Sequence, residues 1–228
     1  MSKKGGSGHI KRLAASSYIK INKKASKYVA HPNPGRYSME RSLALITFLK
    51  DKLSKMSARE AKTIISNGEI FINGKIIKEP KYPIGFGDII FIKPEGAYYK
   101  ITVGKRGIFA FEKVSKDEEK KNIYKVVGKY IAKGGKVMIR LHNGNIMECK
   151  DEVKVNDSVV INGDKLEKVL KFENGARCMV YIGIHAPETG KITNIKKGDM
   201  LSSESVEIKP DKNKSFETVA KNIIVVGA

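Results

Sequence analysis

The sequence predicts an α+β protein: a small helix-helix-hairpin module in the first hundred residues, then a long β-rich remainder that closes into small barrels or sandwiches. Three observations carry this. Apolar residues recur at helical spacing between Ser38 and Ile65. Asn73-Gly74 separates two short apolar runs, the strongest local hairpin signal, because a type I′ turn needs positive φ at both central residues. Beyond Pro94, short strand-like runs alternate with turn residues at a spacing too tight for intervening helices.

Residues 1–37 hold nine Lys or Arg and no acid, with many Ser, Ala, Gly and Asn, and end in HPNPGRY, whose two X-Pro steps disfavour helix. Without apolar periodicity, this segment reads as an extended basic arm that orders on a partner. From Ser38 the pattern becomes SMERSLALITFLKDKLSKM, with Leu43, Ile46, Leu49 and Leu53 on one face, so a first helix is expected over 38–56. In SAREAKTIISNG, Ser57 and Glu60 have capping-box spacing, Ala61, Ile64 and Ile65 form an apolar face, and Gly68 supplies a stop. This predicts a second, shorter helix, with Arg59, Lys62 and Ser66 together on its outer side.

A hairpin follows, Glu69–Ile72 and Lys75–Lys78 about Asn73-Gly74. Pro80 and Pro83 interrupt the ladder, Gly85 and Gly87 allow a bend, and Asp88 leads into a third strand, Ile89–Ile92. Strands are then expected in YYKITV, GIFAFEKV, NIYKVVGKYI, KVMIRLHNG, DSVVING and KLEKVLKF, with KDEEKK at 116–121 a solvated turn. A final β-rich part runs from GARCMVYIGI through TGKITNIKKGD and SVEIKPD to NIIVVGA. The chain thus divides into an arm (1–37), the module (38–94), a β-rich central domain (95–168) and a C-terminal β domain (169–228).

Charge narrows the function. The 228 residues carry a formal net charge of +20. Lys and Arg outnumber Asp and Glu by 9 to 0 in residues 1–39, 11 to 7 in 40–100, 15 to 10 in 101–168 and 9 to 7 in 169–228. An excess in every segment points to a polyanionic partner. Nucleic acid fits better than a membrane surface, since the basic stretches lack a sustained amphipathic helix pattern. No apolar stretch approaches the roughly 18 residues of a membrane span, and the start lacks a signal-peptide core, so a cytosolic protein is expected.

Enzyme readings fail on the residues they require. GIHAPETGK at 183–191 has glycines seven apart rather than the five of a phosphate loop, and Ile192 stands where Ser or Thr would hold magnesium. No G-x-S-x-G elbow or H-E-x-x-H helix occurs. Cys149 and Cys178 are far apart and read as small buried apolar thiols, while His9, His31, His142 and His185 lack metal-ligand spacing. No cofactor, metal site or small-molecule substrate is expected.

The stretch SAREAKTIISNGEIFINGKIIKEPKYPIGFGDIIFI, residues 57–92, resembles the small RNA-binding module named after ribosomal protein S-four. GHIKRLAA and HPNPGRYSMERSLALITFLKDKL precede it. GARCMVYIG through TGKITNI is similar to a KOW motif of a small SH3-like barrel, with Gly183 and Gly190 retained and Pro187 and Glu188 in the loop. Together these resemble the small-subunit ribosomal protein S-four-e family of archaea and eukaryotes, over nearly the whole chain. The ending NIIVVGA, without a long basic tail, favours an archaeal member.

That resemblance implies a structural constituent of the small ribosomal subunit, with small-subunit ribosomal RNA and neighbouring ribosomal proteins as partners. By position it gives Arg59, Lys62, Asn73 and Lys75, with Lys78 beside them, an RNA-facing role. Lys3, Lys4, Lys11, Arg12, Lys23, Lys24 and Arg36 would let the arm lie between RNA segments. An RNA-modifying enzyme using the same module for targeting is the alternative, but a pseudouridine synthase needs Arg-Leu-Asp. The nearest strings here are Arg12-Leu13-Ala14 and Arg140-Leu141-His142. A free RNA chaperone or translational regulator is the third reading. If about six phosphates are engaged, affinity should fall roughly a thousandfold between low and moderate salt.

Overall fold

The computed structural model describes residues 8–19, 27–52, 57–115, 121–149, 152–163, 165–199, 203–211 and 214–227. It divides into two compact units, residues 1–102 with 108–115, and residues 103–107 with 116–228.

In the first unit, strands β1 (His9–Lys11) and β2 (Tyr28–Ala30) pair antiparallel, with Lys11 opposite Tyr28. Then come β3 (Leu43–Ala44), helices α1 (Leu45–Lys52) and α2 (Ala58–Ser66), and strands β4 (Ile70–Ile72), β5 (Lys75–Ile76), β6 (Pro83–Ile84), β7 (Ile89–Ile92), β8 (Ala97–Val103) and β9 (Phe109–Val114). One sheet has the order β5-β4-β7-β8-β9, and β3 pairs separately with β6. The core joins Leu45, Phe48 and Leu49 of α1 and Ala61 and Ile65 of α2 to Ile70, Ile72, Ile90, Ile92 and Ile101 of the sheet. Each such side chain contributes roughly 1.5–3 kcal/mol by leaving water.

The first helix is shorter than its apolar spacing predicts. Met39–Arg41 is a single 3-10 turn, and Leu43 lies in β3 opposite Ile84 instead of on a helical face. The helix begins at Leu45 because the Leu45 and Ile46 N–H groups find acceptors outside it, the carbonyls of Tyr82 and Pro80. Leu53 lies outside the described residues.

The described part of the arm, expected to be extended, packs on the module. Val29 and Tyr37 are buried, and Ile19 and Ala30 pack on the core. Asn33 N–H donates to Lys81 carbonyl at 2.9 Å, and Phe109 N–H to Tyr18 carbonyl at 2.8 Å. Scattered single residues each take one site on the module, so no periodicity announces the contact.

The module's sheet runs past residue 94. Lys93-Pro94-Glu95 forms one 3-10 turn closed by Gly96 at φ 61°, and this tight connection sets Phe91 opposite Tyr98. Pro94 therefore starts a hairpin turn where a domain boundary was expected, and β8 and β9 extend the sheet.

Among the described residues, the second unit has two five-stranded sheets. The first comprises β10 (Lys121–Ile131), β11 (Val137–Leu141), β12 (Ile146–Glu148), β13 (Ser158–Asn162) and β14 (Lys165–Leu170), in the order β12-β11-β10-β13-β14. The second comprises β15 (Arg177–Val180), β16 (Thr189–Lys196), β17 (Ser205–Pro210), β18 (Phe216–Val219) and β19 (Ile223–Gly227), in the order β18-β17-β16-β15-β19. The buried Lys125 ammonium donates to the carbonyls of Ala220 and Ile223, and Val225 N–H donates to Ser158 Oγ at 2.9 Å, so polar bonds join the two sheets. Residues 116–120 of KDEEKK lie outside the described residues. Cys178 is buried, with its thiol pushed up to about 11 by desolvation, and Cys149 packs at a core margin; neither forms a disulfide.

Candidate nucleic-acid interface

Helix α2 begins with the full reciprocal cap its sequence predicts. Glu60 N–H donates to Ser57 Oγ at 3.2 Å, and Ser57 N–H donates to the Glu60 carboxylate at 2.7 Å. It ends in a Schellman motif: Gly68 N–H reaches Ile65 carbonyl and Glu69 N–H reaches Ile64 carbonyl, with Gly68 at φ 76°. Both ends are thus fixed, and the inner face is pinned by Ala61 and Ile65. Arg59 and Lys62 are left exposed on the outer face.

The hairpin is the two-residue turn expected, with Asn73 at φ 49°, Gly74 at φ 78°, and Ile72 opposite Lys75. Directly paired residues project from the same face of a sheet. Since Ile72 is buried in the core that α2 covers, Lys75 lies on the helix side of the sheet, at its hairpin end. Lys78 reaches the same region. A Cβ at Gly68 would stand 3.2 Å from Lys78 Cε, so the lysine stem passes over the C-terminal end of α2, where a cation favours the helix dipole. Among the described residues, no carboxylate pairs with Arg59, Lys62, Lys75 or Lys78.

Asn73 and Arg36 are occupied inside the protein. Asn73 Nδ2 donates to Asp88 Oδ1 at 2.7 Å, while its Oδ1 accepts from Ile89 N–H at 2.9 Å. Arg36 Nη2 lies 3.3 Å from both Asp88 oxygens, and its guanidinium sits over the rings of Tyr37 and Tyr82. Asp88 is fully buried and also accepts from Gly85 N–H at 3.1 Å. Burial pushes its carboxyl above the usual range, against the opposing pull of Arg36, Asn73 and Gly85 N–H. This cluster fastens the end of the arm, the hairpin turn and the start of β7 to one another. In the sequence Asp88 leads a strand, and an acid set directly before four apolar residues is the one local sign of its burial.

Lys11 is exposed at the end of β1, and Arg12 starts a 3-10 turn whose N–H donates to Lys27 carbonyl. Lys3, Lys4, Lys23 and Lys24 lie outside the described residues. Tyr99 and Tyr124 are core residues, and Tyr98 stacks on Phe91 with ring centroids 4.5 Å apart. Three histidines have ring partners inside the protein: His9 meets the Tyr28 ring edge-on, His142 Nδ1 accepts from Lys125 N–H, and His185 stacks on Phe216. No group of three or more metal-ligating side chains occurs among the described residues, and none of their helices is long and apolar enough to cross a membrane.

A capped helix and a tight hairpin, rigid beneath and cationic above, define a nucleic-acid-binding protein built on an S4-type module. Residues 45–90 match the S4 domain, and residues 95–168 match the ribosomal family S4e. The small ribosomal subunit protein eS4 of Methanocella arvoryzae is 33% identical over 96% of this chain and 94% of that protein, and the eS4 of Archaeoglobus fulgidus is 32% identical over 96% and 93%. The crystal structure of the 30S ribosomal protein S4e from Thermoplasma acidophilum, 25% identical, superposes with a TM-score of 0.71 over 82% of this chain and 96% of that one. The chain belongs to the small ribosomal subunit protein eS4 family. It is a structural constituent of the small subunit of the cytoplasmic ribosome, not an enzyme.

Proposed function

We propose that the chain holds small-subunit ribosomal RNA on the surface made by α2 and the β4–β5 hairpin, with Arg59, Lys62, Lys75 and Lys78 on backbone phosphates. One observation carries this: among the described residues, four exposed cations without carboxylate partners converge on one side of a module whose helix α2 is capped at both ends and buries its inner face. Lysine and arginine gain affinity by releasing counterions from phosphates, and a rigid surface selects A-form junctions by shape because their base edges are hidden in a deep groove. Arg36 and Asn73 serve as scaffold beneath that surface through Asp88. Lys3, Lys4, Lys11, Arg12, Lys23 and Lys24 extend the cationic surface along the arm, between RNA segments. Residues 169–228 act as a KOW-like SH3-type domain, and neighbouring ribosomal proteins complete the surroundings.

The test is binding of the full chain to archaeal small-subunit RNA. Changing Arg59, Lys62 and Lys75 together to alanine should weaken binding and reduce the logarithmic salt slope by about three, near one per lost phosphate contact. Unchanged affinity with an unchanged thermal transition would move the interface elsewhere.

A further inference from the structure

The β10–β11 ribbon has features that the α2–hairpin surface does not explain. From Lys120 to Met147 the sequence contains no Asp or Glu, the longest acid-free run outside the basic N-terminus. The described residues fold most of this run into two long strands closed by Lys133-Gly134-Gly135-Lys136. Ala132 N–H donates to Lys136 carbonyl at 2.8 Å, and Gly135 N–H to Ala132 carbonyl at 3.2 Å, so the tip is a closed turn. Gly134 and Gly135 have φ of 89° and 74°, and nothing lies within 4 Å of where their Cβ atoms would be. The turn therefore requires glycine for its backbone, and it presents bare main chain between two exposed lysines.

Apolar groups are exposed on the same ribbon. Tyr130 is 44% exposed, Ile131 74% and Val127 45%. Tyr130 and Arg140 share the outward face, being paired with Met138 and Gly128 respectively. The Arg140 guanidinium lies over Gly128, whose missing side chain leaves room for it. The base of the ribbon is anchored by Val126, Ile139 and Leu141 in the core, so its end projects from a fixed root. The ion pair of Lys136 with Glu148 at 3.1 Å is exposed on both sides and offers little to lose.

We infer that the end of the β10–β11 ribbon is a second RNA contact, with Lys133, Lys136 and the bare glycine backbone against phosphates, and Tyr130 and Arg140 against an adjoining sugar or base. RNA is chosen over a protein neighbour on charge: residues 120–147 hold seven Lys or Arg and no acid, so the ribbon complements a polyanion. Exposed Tyr beside Arg is the pairing that stacks on nucleobases. This rests on the reading of the chain as an RNA-binding ribosomal constituent.

Two measurements test it. In the full chain, Lys133→Ala with Lys136→Ala should lower affinity for archaeal small-subunit RNA by about tenfold and the logarithmic salt slope by about two, with the thermal transition unchanged. Wild-type affinity and slope in this variant, while the Arg59, Lys62 and Lys75 triple variant still binds weakly, would overturn the ribbon contact alone. Failure of the wild-type chain to bind the RNA would overturn the underlying reading as well. A photo-crosslinking phenylalanine analogue at position 130, in assembled small subunits, should attach to ribosomal RNA. Attachment to a ribosomal protein, or no attachment, would contradict the assignment.

Discussion

Replacing Asp88 by alanine removes the acceptor on which three separated segments converge. Arg36 loses two contacts at 3.3 Å, Asn73 Nδ2 loses its 2.7 Å bond, and Gly85 N–H loses its 3.1 Å bond. Breaking a buried ion pair by deleting one partner costs about 3–5 kcal/mol. The Arg36 side chain is 22% exposed, so water softens its share, and a loss of about 3 kcal/mol is expected. In a unit of this size that lowers the thermal midpoint by roughly 10 °C or more, readable by circular dichroism. Asp88→Asn keeps the volume and should lose less.

The pH response carries the sign. Because burial raises the Asp88 carboxyl above 3.8 in the folded chain, the native state binds its proton more tightly than the unfolded state. The corresponding stability is full below pH 3.8 and is lost as pH rises through the folded value. The wild-type chain should therefore lose stability relative to Asp88→Asn over that range. Arg36→Met removes the attraction that opposes the rise and should extend the decline to higher pH. A midpoint for Asp88→Ala within about 2 °C of wild type would refute the idea that this carboxylate ties the arm to the hairpin.

Gly68→Ala should cost about 1–2 kcal/mol, because it forces a side chain to φ 76° and places Cβ 3.2 Å from both Ile76 and Lys78; thermal melts check this. Ser57→Ala should cost about 1 kcal/mol by removing the acceptor for Glu60 N–H, measurable by denaturant unfolding. Lys125→Met should destabilise the second unit by about 1–3 kcal/mol, since the carbonyls of Ala220 and Ile223 lose their buried donor; an unchanged midpoint would show that water replaces it.

What could be read from the sequence was local. The capping box at Ser57, the stop at Gly68, the Asn73-Gly74 turn and the strand Ile89–Ile92 depend on residues within a few positions of one another, and each forms as expected. Contacts set by distant partners were less legible. Leu43 fits a helical face by spacing, yet it pairs with Ile84, forty-one positions away. Tyr37 and Arg36 resemble arm residues until Gly85 and Asp88 are brought beside them. Lys125 looks like any lysine on a strand, but the return of residues 220–223 buries it. Edge strands β12 and β18, at three and four residues, are too short to show a strand period in the sequence. The four-cation surface was largely legible, since α2 and the β4–β5 hairpin are neighbours in the chain. The role of Asn73 was not, because nothing local shows that its side chain turns inward to Asp88 and Ile89.

The most direct measurement is ultraviolet crosslinking of intact small subunits, with peptides carrying RNA identified by mass spectrometry and lysine acetylation followed in parallel. RNA adducts should fall within residues 58–78, and Lys62 and Lys75 should resist acetylation in the subunit while reacting in the free chain. Adducts confined to other peptides, with Lys62 and Lys75 as reactive in the subunit as outside it, would contradict an RNA platform built from α2 and the β4–β5 hairpin.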